Sequence, residues 1–222
     1  METVFNILDF GAVANARTDS STAIQKAIDL AHSQGGGTVC IPAGQCFMSG
    51  SLELRSYVNL HLEPGSRLLA SPEIESYANF KNGEGALQAN FKDEDGVLQA
   101  DFGRFWIWSL DAVEISITGQ GCLDGNSDAF VLEKRPENTV AKNPRAQSLV
   151  FFGSKRVRVR DILIKNAPSW ALRPCGCEDV VIDGITIDSD LGLVNTDGID
   201  TDCSKQVMIR NCNISCGDDG IC

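Results

Sequence analysis

The sequence predicts an all-β protein: a parallel β-helix, a solenoid of short strands, with one short capping α-helix near its N-terminus. Three observations predict it. A single segment carries apolar residues at helical spacing, and almost everything after residue 37 consists of short alternating runs. Those runs align with one another at intervals of 23 and 27 residues, a period that marks a solenoid.

The helical segment is "TDSSTAIQKAIDLAHSQGGG", residues 18–37. Asp19 or Ser20 supplies an N-cap, Ala23, Ile24, Ala27, Ile28 and Ala31 line one face, and three glycines end it. The strand runs follow, among them "TVCIPAG", "VNLHL", "VEISITG", "VRVRDILIK", "DVVIDGITI" and "QVMIRNCNI". With Val157, Val180 and Val207 in one column, Val159, Ile182 and Ile209 fall into the next, then Ile162, Ile185 and Cys212, then Ile164, Ile187 and Ile214. Val113 with Ile115 opens a similar run 44 residues before Val157. No leucine-rich frame and no 3.6 period recurs, so the repeat is a coil of short strands whose equivalent residues stack at ~4.8 Å. Such a solenoid needs its end covered, and the helix does this at the N-terminal side.

The expected organisation is one β-helix domain over residues 1–222: an N-terminal strand and capping helix at 1–37, then coils at 38–222, with insertions near 77–108 and 126–145. The insertions either border a binding face or only shield the side of the solenoid. Trp106 and Trp108 alternate, one inward and one outward, with core packing the expected use of both.

The formal charge of -11 argues against a nucleic-acid partner, and an anionic sugar polymer would need a local basic patch. No run of 18 apolar residues offers a membrane span, and the N-terminus shows no signal-peptide pattern. Nine cysteines without paired CxxC spacing read as small buried hydrophobes in a reducing compartment, which points to the cytoplasm; loss of a leader would make the protein secreted. Zinc on Cys175, Cys177, Cys203 and Cys212 is the weaker alternative. Lys155, Arg156, Arg158, Arg160, Lys165 and Arg173 form a basic stretch that reads as a solvated wall.

Chemistry concentrates in "NTDGID", residues 195–200, and "CGDDGIC", residues 216–222. Leu149, Leu172 and Ile199 each lie eight residues before their column valine, and Ile221 lies 22 after Ile199. One coil therefore separates the segments, and Asp197 and Asp219 take equivalent positions, with Asp218 over Thr196 and the column continuing through Trp170 and Gln147. Stacked carboxylates repel and raise at least one pKa. Strand alternation would point Asp197 inward with Ile199, so Gly198 and Gly220 are expected to form a bulge or kink that turns the carboxylates outward. Calcium binding, a solvated acidic turn, or inverting glycoside hydrolysis with carboxyls ~6.5 to 9.5 Å apart could each use such a cluster.

"NTDGID" followed one coil later by "GDD" resembles the polygalacturonases, pectin-degrading enzymes of glycoside hydrolase family 28, and "FGAVANARTDSSTAIQKAIDLAHSQGGGTVCIPAG" resembles the opening coil and cap of the wider group of pectin-acting β-helix proteins. The resemblance covers nearly the whole chain. It implies a right-handed, single-stranded, pectin-lyase-like β-helix that hydrolyses α-1,4-galacturonosidic bonds of pectin or oligogalacturonides with inversion. It implies Asp218 as general acid, Asp197 and Asp219 as the pair activating the water, and Asn195 as a substrate-positioning residue, with no cofactor and no metal.

The family's "GHG" histidine and "RIK"-like basic pair do not occur here; the histidines are His32 and His61. The expectation from this is an N-terminal portion of such an enzyme, with an open C-terminal edge able to pair with another segment and with activity of this chain left open. The alternatives are a non-catalytic β-helix module for polysaccharide binding or partner assembly, and a calcium-dependent pectate lyase.

Overall fold

The computed structural model describes residues 3–79 and 103–222. Three parallel sheets wind around one core. The first contains, in spatial order, Val4–Asn6, Gly37–Ile41, Val58–Leu62, Val113–Gly119, Lys155–Arg160, Glu178–Asp183 and Lys205–Arg210. The second contains Cys46–Ser49, Arg67–Ala70, Cys122–Asp124, Leu163–Lys165, Thr186–Asp188 and Asn213–Ser215. The third contains Leu52–Glu53, Arg104–Leu110, Ala146–Phe152 and Leu172–Cys175, and single bridges carry it from Leu172 to Ile199 and on to Ile221. Spatial order follows chain order in each sheet because each coil adds one rung, the arrangement of a parallel β-helix.

The predicted columns are the observed pairs. Val157, Val180 and Val207 are partners in turn, as are Val159, Ile182 and Ile209, and Ile164, Ile187 and Ile214. These side chains stack inside the solenoid, where Val157, Val159, Ile164 and Ile182 have no exposure. One register differs: Val157 pairs with Ile115, 42 residues earlier, and Val113 pairs with Lys155. The cause is a left-handed residue at the start of each of these strands, with φ from 55° to 69° at Tyr57, Glu114, Arg156, Asp179 and Gln206. It bends the chain into the strand at the same place on every coil, so alternation before the bend does not continue across it.

The capping helix, α1, spans Ser21–Ser33 and buries the predicted face of Ala23, Ile24, Ala27, Ile28 and Ala31. Asp19 is the residue that caps it: its carboxylate accepts the Ser21 N–H at 2.8 Å, while the Ser20 hydroxyl accepts from Val13 N. Gln25 locks the helix to the first coil, donating from Nε2 to the Glu53 carbonyl at 3.0 Å and accepting the Glu53 N–H at 2.8 Å. The apolar end of the solenoid is thereby closed by a face of matching period.

The insertion near 126–145 lies beside the coils as a 3-10 turn, Ser127–Phe130, and an antiparallel hairpin of Val131–Lys134 with Thr139–Ala141. It braces the turn leading into the acidic segment: Thr139 N donates to Gly192 O at 2.7 Å, and the Thr139 hydroxyl donates to Asp190 at 3.0 Å. The insertion expected at 77–108 ends earlier than that. Arg104–Leu110 is a regular strand of the third sheet, and the part of that expectation within 80–102 lies outside the described residues. Trp106 is buried, donating its indole N–H to Ser49 Oγ at 3.0 Å, and Trp108 packs on an outer apolar cluster with Phe105, Val150 and Phe152.

Candidate active site

Ile199 is fully buried in the third-sheet column, and this fixes the two acidic segments side by side. Gly198 N donates to Asp219 O at 2.9 Å and Ile199 N to Gly220 O at 3.1 Å, so Asp197 stands opposite Asp219. On the preceding coils Ala171 N donates to Asp197 O and Ser148 N to Trp170 O, which extends the column through Trp170 to Gln147 as the spacing predicted. Thr196 ties the coils together. Its hydroxyl donates to Leu193 O at 2.8 Å and accepts from Gly217 N at 2.9 Å.

The predicted glycine bulge does not occur in the form expected. The left-handed residue is Asn195, with φ of 56°, and Gly198 has no such conformation. Gly198 is needed because the coils touch there: a Cβ at this position would lie 2.4 Å from Gly220 O and 2.8 Å from Ile214 Cγ2. Nor are all three carboxylates turned outward. Asp218 and Asp219 are exposed, whereas Asp197 is buried, with 7% exposure and an Oδ1 that has no hydrogen-bond partner among the described residues.

One carboxylate oxygen from each of Asp197, Asp218 and Asp219 lies within 4.8 Å of the others. This is tighter than the ~6.5 to 9.5 Å expected for an inverting pair. It does match a single shared water: a water donating two ~2.8 Å hydrogen bonds places its acceptors roughly 4.5 Å apart. Asp218 is positioned by backbone, accepting Asn195 N at 3.0 Å and Asp219 N at 3.1 Å. Asn195 is thus joined to the cluster through its main chain, with its left-handed bend aiming the N–H at the carboxylate. Burial raises the pKa of Asp197, with Asp218 and Asp219 adding to the effect and a hydrogen bond from Trp170 opposing it.

A fourth carboxylate belongs to the site. Asp200 is 8% exposed, its Oδ2 lacks a partner among the described residues, and burial, helped by the charge of Asp197, pushes its pKa up to about 7. Arg173 lies nearby and is no part of a solvated wall: it is 8% exposed, its Nη2 donates to Asp202 at 2.6 Å, and its guanidinium sits 4.6 Å above the Trp170 ring. The other basic residues do form such a wall, where Lys155 pairs with Glu178, Arg156 with Glu114 and Arg158 with Asp179. Periodicity could not single out Asp200 or Arg173, because spacing gives a residue's register and not how deeply its side chain is buried. The available signal was their place in the same register as the aspartates, since Arg173 follows Leu172 as Asp200 follows Ile199.

The three clustered aspartates could also hold a divalent cation through those oxygens, and among the described residues no cysteine joins such a group. Cys175 donates to Asp202, Cys177 to Phe151 O and Cys212 to Arg210 O, and Cys175, Cys177, Cys203 and Cys212 are all free thiols.

With this geometry in view, the comparisons with known proteins converge. The family profile for glycosyl hydrolases family 28 matches residues 76–222. A probable polygalacturonase of Vitis vinifera is 30% identical over 218 residues, covering 96% of this chain and 43% of that protein. An exopolygalacturonase of Platanus acerifolia is 30% identical over 223 residues, covering 98% of this chain and 52% of that one. Among solved structures, a hyperthermoactive exopolygalacturonase from Thermotoga maritima superposes with a TM-score of 0.77 at 25% identity, over 99% of this chain and 54% of that chain, and the fold shared with it is the right-handed parallel β-helix. The chain spans about half, or less, of the length of these relatives. The profile match, which runs through both acidic segments and most of the coils that carry them, decides the family: this chain belongs to glycosyl hydrolases family 28.

Proposed function

We propose that this chain carries the catalytic carboxylates of a polygalacturonase-type hydrolase, cleaving α-1,4-galacturonosidic bonds of pectin or oligogalacturonides. The observation that supports this reading most directly is the set of three aspartate oxygens within 4.8 Å of one another on consecutive coils, in a chain whose relatives are named polygalacturonases.

In this reading Asp218, exposed and held at both oxygens by backbone N–H groups, delivers a proton to the glycosidic oxygen as the bond to the anomeric carbon breaks. A water held between Asp197 and Asp219 attacks that carbon from the opposite face, and its proton passes to this pair. Transfer of a proton back to Asp218 through solvent resets the site, and the sum is one water consumed for one bond cleaved. Asn195 fixes Asp218 through its main chain and offers its exposed side chain to the sugar. Asp200 supports the base. While Asp200 keeps its proton, burial of Asp197 as an anion meets one fewer neighbouring charge.

Release of reducing ends from polygalacturonate, absent in Asp218→Asn, is the expected result; release unaffected by that substitution overturns the assignment. The close carboxyl spacing is the one feature that favours retention instead. Proton NMR of the first-formed anomer decides between them, with the β-anomer expected for inversion of an α-linkage. Activity abolished by a chelator, together with an unsaturated product, would identify a calcium-dependent lyase.

A further inference from the structure

An acidic site in a protein with a net charge of -11 must still admit an anionic sugar. Arg173, which packs on Trp170 of the aspartate column, is already neutralised by Asp202. Arg145 differs. It stands two residues before Gln147, at the head of the column that runs through Trp170 to Asp197 and Asp219. Its Nη1 donates to Pro168 O and to Val194 O, both at 2.8 Å, and its Nε to Asn143 Oδ1 at 3.2 Å.

Pro168 leads into Trp170 and Val194 into Asn195, so the guanidinium spans the entries to two successive coils, one residue from the backbone N–H that holds Asp218. Among the described residues it has no carboxylate partner, and its Nη2 has no acceptor. It is half-buried, and burial lowers its pKa, which is the mark of a cation that has lost water without gaining an anion. Neutral carbonyls fix the fork in place and leave one edge of it to be satisfied from outside.

We propose that Arg145 binds the carboxylate of a uronic acid unit lying against the three aspartates, and so sets a preference for free over esterified sugar acids. This rests on the galacturonan-hydrolase reading above. The fixed Nη1 and Nε orient the group, and the two hydrogens on Nη2 donate to the ligand carboxylate. A methyl ester removes the charge from that acceptor and weakens the contact. Arg145 is then a specificity residue, with no part in proton transfer.

The test is calorimetric titration of the 222-residue chain carrying Asp218→Asn, which suppresses turnover, with trigalacturonate and with its methyl ester. The same titrations are made after adding Arg145→Gln or Arg145→Lys, with melting curves to verify folding. The expected result is affinity for the acid lowered about tenfold or more by Arg145→Gln, with affinity for the ester changed less than about twofold and Arg145→Lys in between. Equal weakening of both ligands identifies Arg145 as a coil-to-coil staple and overturns the proposal, as does no change in either. Failure of the Asp218→Asn parent to bind either oligomer removes the galacturonan reading itself, and that outcome is visible before Arg145 is touched.

Discussion

Two columns of this solenoid share one geometry and differ completely in content. Inside, Val157, Val180 and Val207 stack coil upon coil with Val159, Ile182 and Ile209 beside them. At the third-sheet edge, the column from Gln147 and Trp170 reaches Asp197 and Asp219 through the same rise per coil. Stacking like on like gains packing when the residue is valine. When it is aspartate, the identical register brings charges together and partly buries one of them. A repeat fold thus supplies precise spacing at no extra cost, and whether that spacing stabilises or activates depends only on the side chain placed there.

The sharpest way to break the comparison is to remove function without touching the stack. Asp218→Asn is expected to lower hydrolysis of polygalacturonate about 10²- to 10⁴-fold, while the unfolding free energy stays within about 0.5 kcal/mol of the parent, because Asp218 is exposed. The converse substitution works on the interior. Ile185 has no exposure, and Ile185→Ala is expected to cost about 2–5 kcal/mol in denaturant unfolding, with the specific activity of the folded fraction unchanged.

Between these lies Gly198, where both columns meet. Gly198→Ala puts a methyl where only 2.4 Å separates it from Gly220 O, so the coils must part. The expected cost is about 1–3 kcal/mol of stability. It comes with loss of activity out of proportion to that cost, because the same displacement moves Asp197 away from Asp219. Full activity in a destabilised Gly198→Ala protein would show that the carboxylates tolerate a looser register than proposed.

What could be read beforehand follows the same division. The helix face and the inner columns were legible because each rests on a period, 3.6 or 2, repeated in residues that burial selects strongly. The register slip at Val113 came from a left-handed Glu114, which has no compositional signature in a glutamate. Asp197, Asp218 and Asp219 were legible through the coil period and through resemblance. The burial of Asp197, the cation stacked on Trp170 and the Asp200 Oδ2 left without a partner among the described residues were not legible, since spacing encodes register and not what packs over each side chain. Gly198, beside Asp197 in sequence, serves the close approach of two coils and not the bulge that strand alternation predicts there.

The effect confined to a single titration is the most specific to the acidic column. Asp200 has an ordinary pKa when unfolded and one near 7 when folded, so between about pH 4 and pH 7 the folded chain holds a proton that the unfolded chain releases. Stability from this group is present at low pH, declines as pH rises through that window and is flat above it. Asp200→Asn removes the dependence: the two proteins are expected to melt together near pH 4, and the variant to melt higher at pH 8. The variant also loses one negative charge beside the other aspartates, so the alkaline limb of its pH–rate profile should shift downward. A variant that tracks the parent at both pH values would mean that Asp200 is ionised in the folded protein at neutral pH, and that the buried end of the column carries its charge openly.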